Sequence, residues 1–266
     1  MSSLNIVTQP THSATGPIII TGATQRVGLY CALHLQQLGY QVVTTYRREQ
    51  ENVRTLRERG IDCIAVDFTD LEQTCGFIEQ IQTKYPSIRA LIHNASVWQK
   101  DHPKPVQLQG EALRAAVRAD MTLFDDMHLI HSRLPYVLNR ALLPQLYAGA
   151  ETFGGADIIH MSDFVAAHGS QKHQAYASSK AALENLTLSF ARVLAPHIKV
   201  NAIAPALLMF NERDDADYRA EQLAKSLMQI EPGAGEVLAT LCYLLQSRYV
   251  TGQVVAVDGG RGLKLP

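Results

Sequence analysis

The chain has no surplus of charge of either sign. Its 24 Lys and Arg residues face 25 Asp and Glu residues, a formal net charge of −1 over 266 residues. A protein whose main partner is nucleic acid usually carries a basic excess to meet phosphates, so this balance argues against one. It also rules out an acidic disordered tail as the dominant feature. Long apolar runs are missing: none reaches the ~18 residues of a membrane span. Aromatic residues are few, at 7%, with Trp98 the only tryptophan. The four cysteines, Cys31, Cys63, Cys75 and Cys242, form no CxxC pair and no zinc spacing. They read as free thiols in a reducing cytoplasm. Residues 1–16 lack the basic and apolar regions of a secretion signal and read as a flexible arm. What is present is 47% hydrophobic and 18% charged residues, a globular composition with ample material for a core.

Short apolar runs alternate with helical stretches along the chain. Strands are expected at 17–20, 41–46, 61–66, 90–93, 157–161, 199–203 and 253–257. Helices are expected at 27–38, 48–59, from Asp70 toward Tyr85, across 111–147 with a kink or break at Pro135, at 176–194 and at 233–245. Strands alternating with helices imply a parallel sheet covered on both faces. The expectation is α/β: a single doubly wound Rossmann-type domain over 17–266, with a central, mostly parallel seven-stranded sheet.

The segment Thr21-Gly22-Ala23-Thr24-Gln25-Arg26-Val27-Gly28 joins the first strand to the first helix. Gly22 permits a tight turn, Gly28 permits close helix packing, and the exposed amides at the helix start face a pyrophosphate. Two glycines alone also fit a generic strand–helix loop, and the position after strand one favours the phosphate turn. Arg26 replaces the usual middle glycine. Its guanidinium is either a phosphate ligand or a solvated surface group. Strand two ends in Tyr46-Arg47-Arg48, with no acid before Glu49. An acid there would bind a ribose 2′-hydroxyl, whereas two arginines attract a 2′-phosphate, so NADPH is expected over NADH. Asp67, at the end of strand three, is either an acceptor for the adenine amino group or a turn residue.

Tyr176 and Lys180 stand at i and i+4 on one helix face. A neighbouring ammonium is expected to lower the tyrosine pKa and make it a proton donor near neutrality. Asp163 lies at the end of the fifth strand, where such sheets bind ligands.

These pieces together resemble the short-chain dehydrogenase/reductases: TGATQRVG at 21–28, Asp67, HNAS at 93–96, YASSK at 176–180, NAIAPA at 201–206 and VTG…VDGG at 250–260. Arg26 in the turn, Asp163 where that family usually has a serine, and Asn94-Ala95-Ser96 followed by Val97-Trp98 are similar to the pteridine reductase group. The resemblance implies NADPH-dependent reduction of 7,8-dihydropterins, with dihydromonapterin favoured and dihydrofolate secondary. Hydride would go to C6 and a proton to N5. It assigns catalysis to Asp163, Tyr176 and Lys180, with His131 where the group has a relay asparagine. His131 fits a relay or an ordinary buried histidine equally well. It assigns the cofactor to Gly22, Thr24, Arg26, Val27, Tyr46, Arg47, Arg48, Asp67, Phe68, Asn94, Ala95, Ser96, Tyr176, Lys180 and Pro205. It assigns the substrate to Arg26, Ser96, Trp98, Asp163 and Tyr176. Trp98 would stack on the pterin, unless it is a core tryptophan. The segment 207–218 reads as a substrate loop or as plain surface. No metal is expected, because His128 and His131 lack further ligands at suitable spacing. A homotetramer or homodimer is implied, with no nucleic acid or membrane partner. Two other activities remain open: a general NADPH-dependent carbonyl or 3-oxoacyl reductase, and a non-catalytic NADPH-binding sensor.

Overall fold

The structure is a computed structural model that describes residues 16–103 and 107–264. The arm expected over 1–16 lies almost wholly outside the described residues. In chain order the elements are β1 (Ile18–Ile20), α1 (Arg26–Gln37), β2 (Val42–Tyr46), α2 (Glu51–Glu58), β3 (Asp62–Ala65), α3 (Leu71–Lys84) and β4 (Ala90–His93). Next come α4 (Gly110–His128), α5 (Leu134–Ala141), α6 (Leu143–Phe153), β5 (Ala156–Met161), α7 (Val165–His168) and α8 (Gln174–Leu194). The chain then forms β6 (Ile198–Pro205), α9 (Ala216–Leu223), α10 (Gly235–Gln246) and β7 (Val254–Val257).

The sheet order is β3-β2-β1-β4-β5-β6-β7, and every pairing is parallel, where the sequence implied mostly parallel. Ile18, Ile19 and Ile20 of β1 are all fully buried, because helices cover both faces. Apolar side chains of this kind contribute about 1.5–3 kcal/mol each on burial. One core lies under α1 and α10, the other under α3, α5, α6 and α8. The strand order reverses between β1 and β4, which opens a crevice at the carboxyl ends of the strands.

Three local departures bear on function. α2 starts at Glu51 rather than Arg48, so Arg47 and Arg48 stand in the turn after β2. The long helical region does break ahead of Pro135, and it does so through a π-helical turn over Leu129–Arg133. Proline lacks an amide hydrogen and crowds the carbonyl four residues back, and the wider turn relieves both. Residues 207–218 are not all loop, since α9 begins at Ala216 with Asp215 as its cap. No helix among the described residues is long and apolar enough to cross a membrane.

Candidate active site

The first side of the crevice is the β1–α1 turn. Gly22 has φ +66, and a Cβ there would meet the Ala95 Cα at 2.8 Å, so the turn needs glycine for conformation and for space. Thr45 Oγ1 accepts from Gly22 N at 2.9 Å and Thr44 Oγ1 accepts from Ala23 N at 3.1 Å, holding the turn against β2. Gly28 faces Asn94, whose Nδ2 would lie 2.5 Å from an added Cβ. Asn94 Nδ2 donates to the carbonyls of Thr21 and Gly22, so this residue builds the turn rather than facing the cleft. Gln25 caps α1 with no side-chain bond, and no acid lies in its first turn. Free amides and no negative charge fit a pyrophosphate.

Gly22, Thr24, Tyr46, Arg47, Arg48 and Asp67 line one continuous cleft, which Phe68, Ala95 and Ser96 extend. Arg57 binds Glu49 at 2.7 Å and donates to Tyr46 Oη at 2.6 Å. It thereby neutralises the acid nearest the end of β2, and Arg47 and Arg48 have no ion-pair partner within 4.0 Å among the described residues. Asp67 Oδ1 accepts from the amide and hydroxyl of Thr69, the turn role that the sequence left open. Those bonds and Arg47 hold its carboxyl below the ordinary range. Phe68 packs edge-on against Phe77 at 5.4 Å.

Arg26 is tied to the segment after β6. It has φ +49 and is exposed, and its guanidinium donates to Asn211 Oδ1 at 2.6 Å and to the Met209 carbonyl at 3.1 Å. It joins the phosphate turn to the segment after β6 instead of reaching across the cleft. Val27 follows it in the first turn of α1 and packs partly against the core.

The second side is built from β5, α8 and the π-turn. Tyr176 Oη donates to Asp163 Oδ2 at 2.9 Å, and Val165 N donates to Asp163 Oδ1 at 3.0 Å. Lys180 is buried, and its Nζ donates to the Met161 carbonyl at 2.7 Å. Pro205 lies beside this group, its carbonyl accepting from Phe164 N at 2.9 Å. The expected fall in the Tyr176 pKa is overturned. Burial, followed by the charge of Asp163 and its hydrogen bond, raises the pKa well above the ordinary phenol value. Lys180 is pushed down to about 8, chiefly by its own burial. Glu184, one turn beyond Lys180, accepts from Ser162 Oγ at 2.6 Å, a partnership the sequence gave no sign of.

His131 is 1% exposed and lies in the π-turn. Its Nε2 pairs with Ser96 Oγ at 2.8 Å and accepts from Val97 N at 3.4 Å. Its Nδ1 pairs with Ser179 Oγ at 2.8 Å. Because Nε2 accepts, the neutral ring carries its proton on Nδ1. Burial, followed by the charge of Lys180, pushes its pKa down to about 2. His131 is therefore not a charged proton carrier, and it directs the Ser96 hydroxyl instead. Trp98 is no core residue: its indole is 60% exposed and rests on the His173 ring, centroids 4.3 Å apart.

Residues 22–261 match the family model described as enoyl-(acyl carrier protein) reductase. The chain is 47% identical over 247 residues to a dihydromonapterin reductase of Enterobacter sp. (strain 638), covering 93% of this chain and 97% of that protein. It is 46% identical over 248 residues to a dihydromonapterin reductase of Klebsiella pneumoniae, with the same coverage. The solved structure of FolM alternative dihydrofolate reductase 1 from Brucella suis, in complex with NADP, superposes with a TM-score of 0.79 at 25% identity, over 96% of this chain and 98% of that one. With the parallel sheet, the glycine turn and the Asp163–Tyr176–Lys180 group in place, the chain belongs to the short-chain dehydrogenase/reductase family, in the group of the dihydromonapterin reductases.

Proposed function

We propose that this protein reduces 7,8-dihydropterins with NADPH, taking dihydromonapterin to tetrahydromonapterin and accepting dihydrofolate as a second substrate. The observation that carries the proposal is the 2.9 Å hydrogen bond from buried Tyr176 to half-buried Asp163 at the carboxyl end of β5. The relatives bearing the dihydromonapterin reductase name support it.

NADPH fits the residues present. The uncapped start of α1 would hold its pyrophosphate, Arg47 and Arg48 its 2′-phosphate, and Asp67 with Phe68 its adenine end. When bound, NADPH supplies the hydride that C6 of the dihydropterin accepts. Lys180, buried with its Nζ bonded to the Met161 carbonyl, would bind the nicotinamide ribose. Tyr176 holds its proton on Oη across neutral pH, because its pKa is raised. Asp163 accepts that hydrogen bond and offers its remaining lone pairs to the N–H groups of a pterin edge. The N5 proton comes from the Tyr176–Asp163 pair, and solvent restores it. Ser96, with its own proton directed to His131, presents acceptor lone pairs to the substrate. Trp98 offers a flat apolar face to the bicycle, and such a stack contributes about 0.5–1.5 kcal/mol beyond area burial.

A general carbonyl or 3-oxoacyl reductase needs a hydroxyl that donates to a carbonyl oxygen. Here Asp163 stands beside Tyr176 in place of such a second hydroxyl, and an ionised carboxylate accepts but cannot donate. NADPH oxidation followed in parallel with dihydromonapterin, dihydrofolate and a simple ketone tests the reading. The pterin should be consumed fastest and the ketone slowly or not at all. A ketone consumed faster than either pterin would overturn it, and no oxidation with any of the three would favour the sensor.

We also infer a homotetramer or homodimer. Leu113, Val117, Met121 and Phe124 form an exposed apolar stripe at helical spacing on α4, and Leu188 on α8 is exposed as well. Equilibrium sedimentation should give two or four chain masses, and a single chain mass would refute it. A cytoplasmic setting suits the four free thiols.

A further inference from the structure

α8 carries Tyr176 in its first turn, yet it begins without a cap of its own. His173 holds the N-cap position with no side-chain bond to the helix amides, and no acid stands in the first turn. An uncapped helix start leaves amide hydrogens unmet. Here the acceptor arrives from a distant part of the chain. Asp101 Oδ2 accepts from Gln174 N at 2.6 Å, and Asp101 Oδ1 accepts from Ala175 N at 3.3 Å. The Asp101 amide in turn donates to the Lys172 carbonyl at 2.9 Å. The carboxylate also supplies the negative charge that a helix start favours.

The segment leading to Asp101 contains Ser96 and Trp98, and it is fastened to α8 at both ends. At one end, Ser96 reaches Ser179 of α8 through the His131 ring. Val97 packs against the small cluster that includes Tyr176 and Ala175. At the other end, Asp101 grips the helix start. Between these two ties the Trp98 indole leans on the His173 ring, the planes tilted by 31°. The placement of the indole relative to the Tyr176 hydroxyl thus depends on a bond made three residues after it.

We infer that Asp101 is a positioning residue for the dihydropterin: it caps the catalytic helix from the β4–α4 connection and so sets the position of Trp98 against Tyr176. The pterin part of this statement rests on the function proposed above. The tether itself does not, and it can be read without substrate, because Trp98 is the only tryptophan in the chain and all indole emission is its own.

The test compares Asp101→Ala and Asp101→Asn with the wild-type holoenzyme. Removing the cap should raise the KM for dihydromonapterin about tenfold, the scale of a lost helix cap, with the KM for NADPH within about twofold of wild type. The indole emission should change in intensity as the indole leaves the His173 ring, and its anisotropy should fall. Asparagine keeps one acceptor oxygen, enough for the shorter bond to Gln174 N, and should bring both readouts part of the way back. Unchanged emission in D101A would overturn the tether, as would an asparagine variant as impaired as alanine. An equal rise in both KM values would overturn the positioning role. If D101A does not fold, His173→Ala removes the ring contact alone. It should change the emission intensity and raise the dihydromonapterin KM by a smaller factor, and no change in either would overturn the proposal. If the wild-type enzyme turns over no dihydropterin, the substrate reading fails while the emission still decides the tether.

Discussion

On the β2 side of the crevice, Arg47 and Arg48 are exposed and have no ion-pair partner among the described residues. Arg47 and Arg48 point from a turn, and the one nearby acid, Glu49, is bound by Arg57. On the β5 side, the groups are already bonded within the protein and gather about the buried Tyr176, Lys180 and His131: Tyr176 to Asp163, Lys180 to a strand carbonyl, Ser96 to His131. The first side presents positive charge to water. On the second side, burial shifts the pKa values of Tyr176, Lys180 and His131. Exposed charges keep their ordinary chemistry, whereas burial disfavours whichever form is ionised. That is why residue type alone gave the charge at the end of β2 but not the raised pKa of Tyr176 or the lowered pKa of His131.

The largest effect that tests this contrast falls on the buried side. Tyr176→Phe removes the proton on Oη while leaving the ring. The kcat for dihydromonapterin should drop by about 10²–10⁴, the usual contribution of a positioned proton donor. NADPH affinity, measured by fluorescence titration, should stay within about twofold, since phosphate binding lies on the other side. Turnover near the wild-type rate would show that Asp163 or solvent delivers the proton without Tyr176.

The next effect falls on the exposed side. The double variant R47A/R48A should raise the KM for NADPH by about tenfold to a hundredfold, as expected for losing charge-assisted bonds to a phosphate. The KM for NADH should hardly move. Equal losses for the two cofactors would mean that these arginines support the turn and do not read the 2′-phosphate.

A smaller effect separates the two sides through acid stability. His93 and His160 are fully buried between β4, β5 and α8 and are joined through Asn139, and His131 is buried nearby. An unfolded histidine titrates near 6.5, whereas burial pushes His93 down to about 4 and His131 to about 2. Between those values the unfolded chain binds more protons than the folded one. Stability from these neutral rings is complete above pH 6.5 and is lost as pH falls, by up to about 1.4 kcal/mol per pH unit for each histidine. The Tm should therefore fall steadily from pH 6.5 toward pH 4, with the same slope in R47A/R48A, whose changes lie on the exposed side. A flat Tm over that range would show that the buried rings are protonated in the folded state.

Much of this organisation was legible in residue order. Runs such as Ile18–Ile20 and Asp157–Met161 marked strands because a parallel sheet buries both faces. Asp70 marked its helix start by capping chemistry and does accept from Gln73 N. The Tyr176–Lys180 spacing placed two side chains on one helix face, and the structure keeps them there. Other features had no local signal. Asp101 caps a helix 73 residues away, Arg57 reaches back to Glu49 and Tyr46, and Arg26 turns to Asn211 across 185 residues. No periodicity records such partnerships, because they depend on which loops the sheet order brings together.

The sequence by itself determined the alternation of strands and helices, the glycine turn after β1, the basic end of β2 and the identity of the groups around Tyr176. These follow from propensity, spacing and formal charge, which travel with the residues. Only the tertiary structure decided what those groups are chemically: a tyrosine whose pKa rises instead of falling, a histidine whose pKa falls, an arginine bonded to the segment after β6, and a catalytic helix capped by a distant aspartate. The reason is that pKa and orientation depend on water excluded and partners met, and both are set by segments far apart in the chain.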